Sequence, residues 1–339
     1  MQDTDRPKLP FEVWALVAGG FTVALGYGVV APAIPQFALE FGVSNFAASA
    51  IVSAFALMRL LSAPLAGWIV GRFGERRTYS TGILIVALST GAAAFAADYA
   101  QFVVLRGLGG IGSTMFTVAA TALLIKVSPP LARGRVASLN AAGFLLGGLL
   151  GPIFGGIVAS FGLRAPFIFY FITLVAAATV VAIALRRSKL AQVVAGSPDS
   201  RETFSLSQAV GVSQYRSLLA SVFTFGWASY GVRVSVIPIF VAVVLGGDAA
   251  VAAWVLAAYA AGNAVLIFPS GRWNDSVGRK PMLVIGMFVL SAAYLVFPVS
   301  NSLWFALAVM FVAGAGSALV NPGQQAVLAV LLTMTVAAF

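Results

Sequence analysis

The chain has 339 residues, 60% of them hydrophobic and 9% charged, and its 20 Lys and Arg against 10 Asp and Glu give a formal net charge of +10. Soluble domains hold roughly 25% charged residues, so this composition belongs in lipid. With neither histidine nor cysteine, imidazole bases, thiol nucleophiles, disulfides and His/Cys zinc sites are excluded; the chain reads as no enzyme, and it calls for no cofactor and no metal.

Apolar windows of about 20 residues predict ten spans in chain order. Arg6 and Lys8 precede the first, 11–34, which is too long for a cleaved signal peptide. The second, 46–70, is followed by Arg72, Arg76 and Arg77, and the third, 80–97, leads through a nearly uncharged gap to the fourth, 101–125. Lys126, Arg133 and Arg135 separate that span from the fifth, 137–160, and Arg164 stands before the sixth, 165–185. A polar linker over 186–216, with Arg186, Arg187, Lys189, Arg201 and Arg216, precedes the seventh and eighth, 218–244 and 249–269. Arg272, Arg279 and Lys280 then stand before the ninth and tenth, 282–298 and 302–325. The N-terminus, the linker and the alternate loops thus hold sixteen of the 20 basic residues, and the opposite side holds only Arg164. The positive-inside rule puts the N-terminus in the cytoplasm of an inner or plasma membrane, and it makes the basic excess a topology signal with no nucleic-acid partner.

The spans repeat. Tyr27-Gly28-Val29, Ile34-Pro35 and Phe37 return as Tyr230-Gly231-Val232, Ile237-Pro238 and Phe240 (230 − 27 = 203). Gly67, Gly74 and Arg76 return as Gly271, Gly278 and Lys280, and Gly110, Gly112 and Ser113 return as Gly314, Gly316 and Ser317 (314 − 110 = 204). The expected fold is an all-α integral membrane bundle: six helices over 1–185, a cytoplasmic linker over 186–216, and four helices in an incomplete C-terminal bundle over 217–339. Two similar halves in a membrane suit a secondary transporter whose site lies between repeats.

Local motifs are more specific. Gly271-Arg272-Trp273-Asn274-Asp275-Ser276-Val277-Gly278-Arg279-Lys280 follows the pattern G-x-x-x-D-x-x-G-R-K; its first-half copy keeps Gly67, Gly74, Arg76 and Arg77 but has Gly71 in the acid's place. The fifth span carries Gly147-Gly148-Leu149-Leu150-Gly151-Pro152-Ile153-Phe154-Gly155-Gly156. Gly143, Gly147, Gly151 and Gly155 recur every fourth residue, a bare stripe that admits a neighbouring backbone. The fourth span opens Leu105-Arg106-Gly107-Leu108-Gly109-Gly110. Over essentially its whole length the chain resembles the major facilitator superfamily, most closely its drug/proton antiporter, multidrug-efflux branch. The resemblance implies a gating role for the loop motif, an antiporter signature in the fifth span, proton transfer near Arg106, and efflux by alternating access.

It also implies that the first and fourth helices of each half line a substrate cavity. There Tyr27, Arg106, Ser113, Thr117, Tyr230, Arg233, Asn321, Gln324 and Gln325 are the polar candidates. Arg106, Gly110, Ser113 and Thr117 share a face by spacing. Tyr27 and Tyr230 serve equally as packing residues, and Asn321-Pro322-Gly323 reads first as the end of the tenth helix. Arg59 and Arg233 fall near mid-span and Arg106 in an outer third, whereas all ten acids fall in loops or near helix ends. Each intramembrane arginine costs roughly 2.5 to 3.5 kcal/mol unless a carbonyl, water or anion attends it. The expected partners are therefore lipid and a neutral or anionic small molecule rather than a cation. With no buried carboxylate in view, proton coupling rests on the resemblance.

At the same offset the fifth and sixth spans should recur near 341–389, yet the sequence stops at Phe339. It therefore reads as C-terminally truncated. Alternative readings are a non-transporting membrane fragment, or an uptake carrier or uniporter of the same superfamily.

Overall fold

A computed structural model describes residues 9–129, 132–186, 188, 211 and 213–337, with no strand among the described residues. The chain divides into two compact units, Met1–Val194 with Asp248–Ala253, and Ala195–Gly247 with Trp254–Phe339. The first half contains α1 (Phe11–Val30), α2 (Ala33–Leu39), α3 (Asn45–Phe73), α4 (Glu75–Ala93), α5 (Tyr99–Val127), α6 (Arg133–Ala159) and α7 (Ala165–Arg186). The second contains α8 (Ser213–Gly226), a π-helical segment (Trp227–Val236), α9 (Ile237–Val243), α10 (Ala249–Ser276), α11 (Arg279–Val296), a 3-10 turn (Phe297–Val299) and α12 (Leu303–Ala337).

Nine helices among the described residues are long and apolar enough to cross a membrane. The predicted span outside these nine is the third, which is α4, whose start at Glu75-Arg76-Arg77 lowers its hydropathy. Two predicted boundaries need correction. The first span breaks at Ala31-Pro32 and resumes as α2, because Pro32 and Pro35 remove donors from the ladder. The tenth does not end at Asn321-Pro322-Gly323: α12 runs through them to Ala337. Proline and glycine are weak stops in lipid, where a chain that leaves the helix exposes unpaired amides to hydrocarbon. Most of the predicted linker lies outside the described residues.

The duplication is written into the backbone at one offset. Gly42 and Gly246 turn at φ +71° and +64°, and Gly74 and Gly278 at +82° and +107°. A Cβ in those left-handed turns would be strained, which is why glycine recurs in both copies. Helix caps recur as well. Ser44 Oγ accepts from the Ala47 amide at 3.3 Å and Asp248 Oδ1 from Val251 at 2.9 Å. Asp98 Oδ1 accepts from Gln101 at 2.8 Å, and Ser302 Oγ from Phe305 at 3.3 Å. Gln101 reaches back, its Oε1 accepting from the Ala97 amide at 2.7 Å. Asp98→Ala is expected to cost about 1 kcal/mol in a detergent unfolding titration; an unchanged midpoint would show that the interface already satisfies those amides.

Packing repeats too. A Cβ on Gly110 would lie 2.5 Å from the Phe55 carbonyl, and one on Gly314 would strike the carbonyl of Tyr259, the residue matching Phe55. A Cβ added to Gly82 or Gly112 would lie 2.8 or 2.7 Å from the other's carbonyl, and one added to Gly286 or Gly316 would lie 2.7 or 3.0 Å from the other's. So α4 crosses α5, and α11 crosses α12, at backbone contact. Phe37, Phe102 and Phe167, all buried, join α2, α5 and α7 with ring centroids 5.3 to 5.8 Å apart.

Candidate functional site

The glycine stripe of α6 packs onto α1. A Cβ would lie 2.5 Å from the Phe21 carbonyl at Gly147, 2.7 Å from the Leu25 carbonyl and from Gly28 Cα at Gly151, and 3.1 Å from the Val29 carbonyl at Gly155. Gly143 continues the seam at 3.4 Å from the Val17 carbonyl, whereas Gly148 meets nothing within 4 Å. The period-four reading thus separates seam glycines from a bystander three residues away. Helix α6 continues through Pro152, whose ring reaches Gly28. Gly28, missed as a partner, faces Gly151 across the seam.

Two arginines lie over aromatic rings. In the first half Arg106 is 2% exposed, its guanidinium carbon 4.7 Å above the Phe55 centroid, and its Nε is buried without a hydrogen-bond partner. Tyr27 stacks on the same ring at 6.3 Å, and Tyr27 and Tyr170 lie within electrostatic range of Arg106. In the second half Arg233, half-buried in the π segment, lies 4.4 Å above the Tyr259 ring. Phe55 and Tyr259 are equivalent at the 204-residue offset, yet their arginines come from elements that are not: α5 supplies one, the π segment the other. Such stacking offsets part of the cost of a guanidinium in lipid. Among the described residues no Asp or Glu is buried. Arg59, the third intramembrane arginine, is exposed on α3, and its carbonyl accepts from Thr114 Oγ1 at 3.0 Å.

The other candidates scatter. Arg106 and Gly110 are buried against α3, Ser113 is half-buried and Thr117 exposed, so the four do not line one surface. Thr117 Oγ1 donates to the Ser113 carbonyl at 2.8 Å. Gln324 is buried, its Nε2 donating to Ser221 Oγ on α8 at 2.8 Å, and Asn321 is half-buried. Tyr230 lies in the π segment and Gln325 in α12, with side chains outside the described residues, as are those of Asp275 and Arg279. A polar pair missed by the sequence reading is Asn263, whose Nδ2 donates to Ser317 Oγ at 3.2 Å. Its counterparts are Arg59 and Ser113, a register that points to it.

The motif read as a loop is mostly helix. Gly67 ends within α3, Gly271 and Asp275 lie within α10, and the breaks fall at Gly74 and at Val277-Gly278. Gly71, where the acid is missing, is open and exposed, and Glu75, one turn on, pairs instead with Lys126 at 3.2 Å. Arg76 Nη1 donates to the Arg186 carbonyl at 3.2 Å, tying α4 to the end of α7; Arg77 and Lys280 are exposed.

The profile of the Major Facilitator Superfamily matches residues 16–246 and again 218–334. Multidrug resistance protein 2 of Bacillus subtilis (strain 168) is 32% identical over 169 residues, covering 50% of this chain and 42% of that protein. Quinolone resistance protein NorA of Staphylococcus aureus (strain MRSA252) is 26% identical over 158 residues, covering 47% and 41%. The match thus spans about two-fifths of the length of these curated relatives. Among solved structures, an inward-facing, unoccupied bacterial homolog of the human lysosomal transporter Spinster aligns with TM-score 0.74 at 19% identity, over 94% of this chain and 74% of that one. A D-xylose-proton symporter aligns with TM-score 0.65 at 19% identity, over 91% and 80%. At this identity the likeness concerns the fold.

Proposed function

Because the chain belongs to the Major Facilitator Superfamily, we propose that it acts as a secondary transporter exporting small molecules by alternating access between its two repeat-related halves, driven by proton antiport. The observation that carries this reading is the α1–α6 seam. A stripe of four glycines holds two helices at backbone contact, where the first helix would line the path of the cargo. The curated relatives, named for multidrug and quinolone resistance, support export over uptake. In this reading the chain sits in the plasma membrane with its N-terminus in the cytoplasm, and it performs no covalent chemistry on its cargo.

Charge supports a cargo preference. A half-buried arginine in the second half, with no buried carboxylate among the described residues, favours neutral or anionic molecules over lipophilic cations. The same lack leaves the proton carrier unnamed, so coupling is the part tested first. In proteoliposomes of the purified chain, export driven by a pH gradient is expected to collapse when an ionophore dissipates that gradient. Flux that persists unchanged would exclude antiport. Arg233→Ala is expected to lower flux of an anionic dye about tenfold, the order of a lost charge-assisted contact, and to spare a neutral one. Stronger flux of a cationic dye than of either would overturn the preference.

A further inference from the structure

We propose that Arg59 of α3 and Arg106 of α5 form one binding site for a small organic dianion in the first half. Phe55 joins them. The guanidinium carbon of Arg106 lies 4.7 Å above the Phe55 centroid, and Arg59 stands one turn further along α3, where residues four apart share a face. Between them the two helices meet through bare backbone: a Cβ on Gly110, one turn beyond Arg106, would lie 2.5 Å from the Phe55 carbonyl and 3.4 Å from the Arg59 amide nitrogen. Thr114, a turn further, donates to the Arg59 carbonyl at 3.0 Å. Tyr170 of α7 lies within electrostatic range of both arginines.

Charge separates this pair from ordinary packing. Orphaned hydroxyls also occur in this half, at Tyr79 and Thr90, so an unpaired buried atom by itself marks no ligand. The unpaired Nε of Arg106 belongs to a cation that is 2% exposed, and a buried charge without a counter-ion costs far more than a lone hydroxyl. Arg59 makes no side-chain hydrogen bond or ion pair among the described residues. It stands 14 residues from each end of α3 (59 − 45 and 73 − 59), about 21 Å along the axis, so it snorkels to neither surface and no lipid headgroup reaches it. Among the described residues no Asp or Glu is buried to neutralise either cation. Neutralisation falls to a molecule from outside the chain.

The second half acts as an internal control. At the 204-residue offset Arg59 becomes Asn263, whose Nδ2 donates to Ser317 Oγ at 3.2 Å, and Arg106 becomes Met310, fully buried. The glycine crossing persists there, with Gly314 against the Tyr259 carbonyl. Holding these helices together therefore needs neither cation. Each guanidinium offers a fork to one oxyanion. A monoanion leaves one of the two charges uncompensated, whereas a doubly charged oxyanion, a dicarboxylate or a phosphate monoester, answers both.

The site deepens the anionic-cargo reading and rests on it only for the route by which the dianion arrives. Binding of radiolabelled phthalate to the purified full chain tests it apart from transport, in detergent without anionic lipid and at mildly alkaline pH, where both carboxyls are ionised. Saturable binding is expected, with benzoate, the singly charged analogue, about tenfold weaker, the order of a lost charge-assisted contact. Arg59→Gln is expected to lower phthalate affinity about tenfold, to the benzoate level, and to cost benzoate much less. Absence of saturable phthalate binding, benzoate binding as tight as phthalate, or an equal loss of both ligands in Arg59→Gln at an unchanged thermal midpoint would each overturn the proposal. Phthalate affinity untouched by Arg59→Gln would overturn it as well. Anionic flux that is absent while phthalate binding keeps its dependence on Arg59 would count against the transport reading and leave this site standing.

Discussion

Gly151→Val is expected to leave little folded protein, while Gly148→Val, three residues earlier on the same helix, is expected to be nearly neutral. The two substitutions carry the same helix-propensity cost and add the same atoms. They differ in what those atoms meet: at Gly151 a Cβ lies 2.7 Å from Gly28 Cα and the Leu25 carbonyl, and at Gly148 nothing lies within 4 Å. Overpacking against side chains costs about 1 to 3 kcal/mol because rotamers yield. Both obstacles at Gly151 are backbone, so α1 and α6 must part, and contacts at Gly147 and Gly155 loosen with them. In lipid no hydrophobic term draws the helices back together, since packing itself is what holds them. A loss of roughly 3 kcal/mol or more is expected from a total stability of about 5 to 15 kcal/mol. Fluorescence-detected size exclusion with a detergent unfolding midpoint reads it. Equal midpoints for the two variants would show that the seam does not hold the half together.

What the sequence disclosed followed from constraints that lipid and duplication impose. Spans were legible because a helix must stay apolar for about 20 residues. Their pairing was legible because Gly74 and Gly278 solve one turn problem twice. The α6 stripe was legible because a period of four marks one face. What failed depended on depth and on partners from other helices. Arg106 and Thr117 share an azimuth, but eleven residues separate them by about 16 Å along the axis, so one is buried and the other exposed. Asn321-Pro322-Gly323 was read by the punctuation of soluble proteins, which hydrocarbon weakens. The π segment has no period of its own, since Trp227-Ala228-Ser229-Tyr230-Gly231 scans as ordinary helix. The rings under Arg106 and Arg233 come from α3 and α10, which spacing along one helix cannot encode. The offset could have found them, because an aromatic stands at both Phe55 and Tyr259.

Arg106→Met is expected to stabilise the chain while abolishing transport. Arg106 is 2% exposed, its Nε unpartnered, and its charge offset by a ring at 4.7 Å rather than by an acid. Replacing buried charge with apolar volume is often stabilising by about 1 to 4 kcal/mol, and a lone arginine at depth costs roughly 2.5 to 3.5 kcal/mol on insertion scales. Methionine keeps an unbranched stem and sets a thioether against the Phe55 ring, so little cavity is left. A gain of about 1 to 3 kcal/mol in unfolding free energy is expected, with flux at background. Arg106→Lys separates charge from shape: ammonium retains the charge but not the delocalised plane that stacks on Phe55, and it is expected to restore only part of the flux. Should Arg106→Met destabilise the chain, the guanidinium is a structural strut whose remaining N–H groups bind carbonyls, and its burial needs no functional explanation. A residue that weakened the fold and that flux required would have its benefit in the transport cycle, with Tyr27 and Tyr170 within electrostatic reach of it.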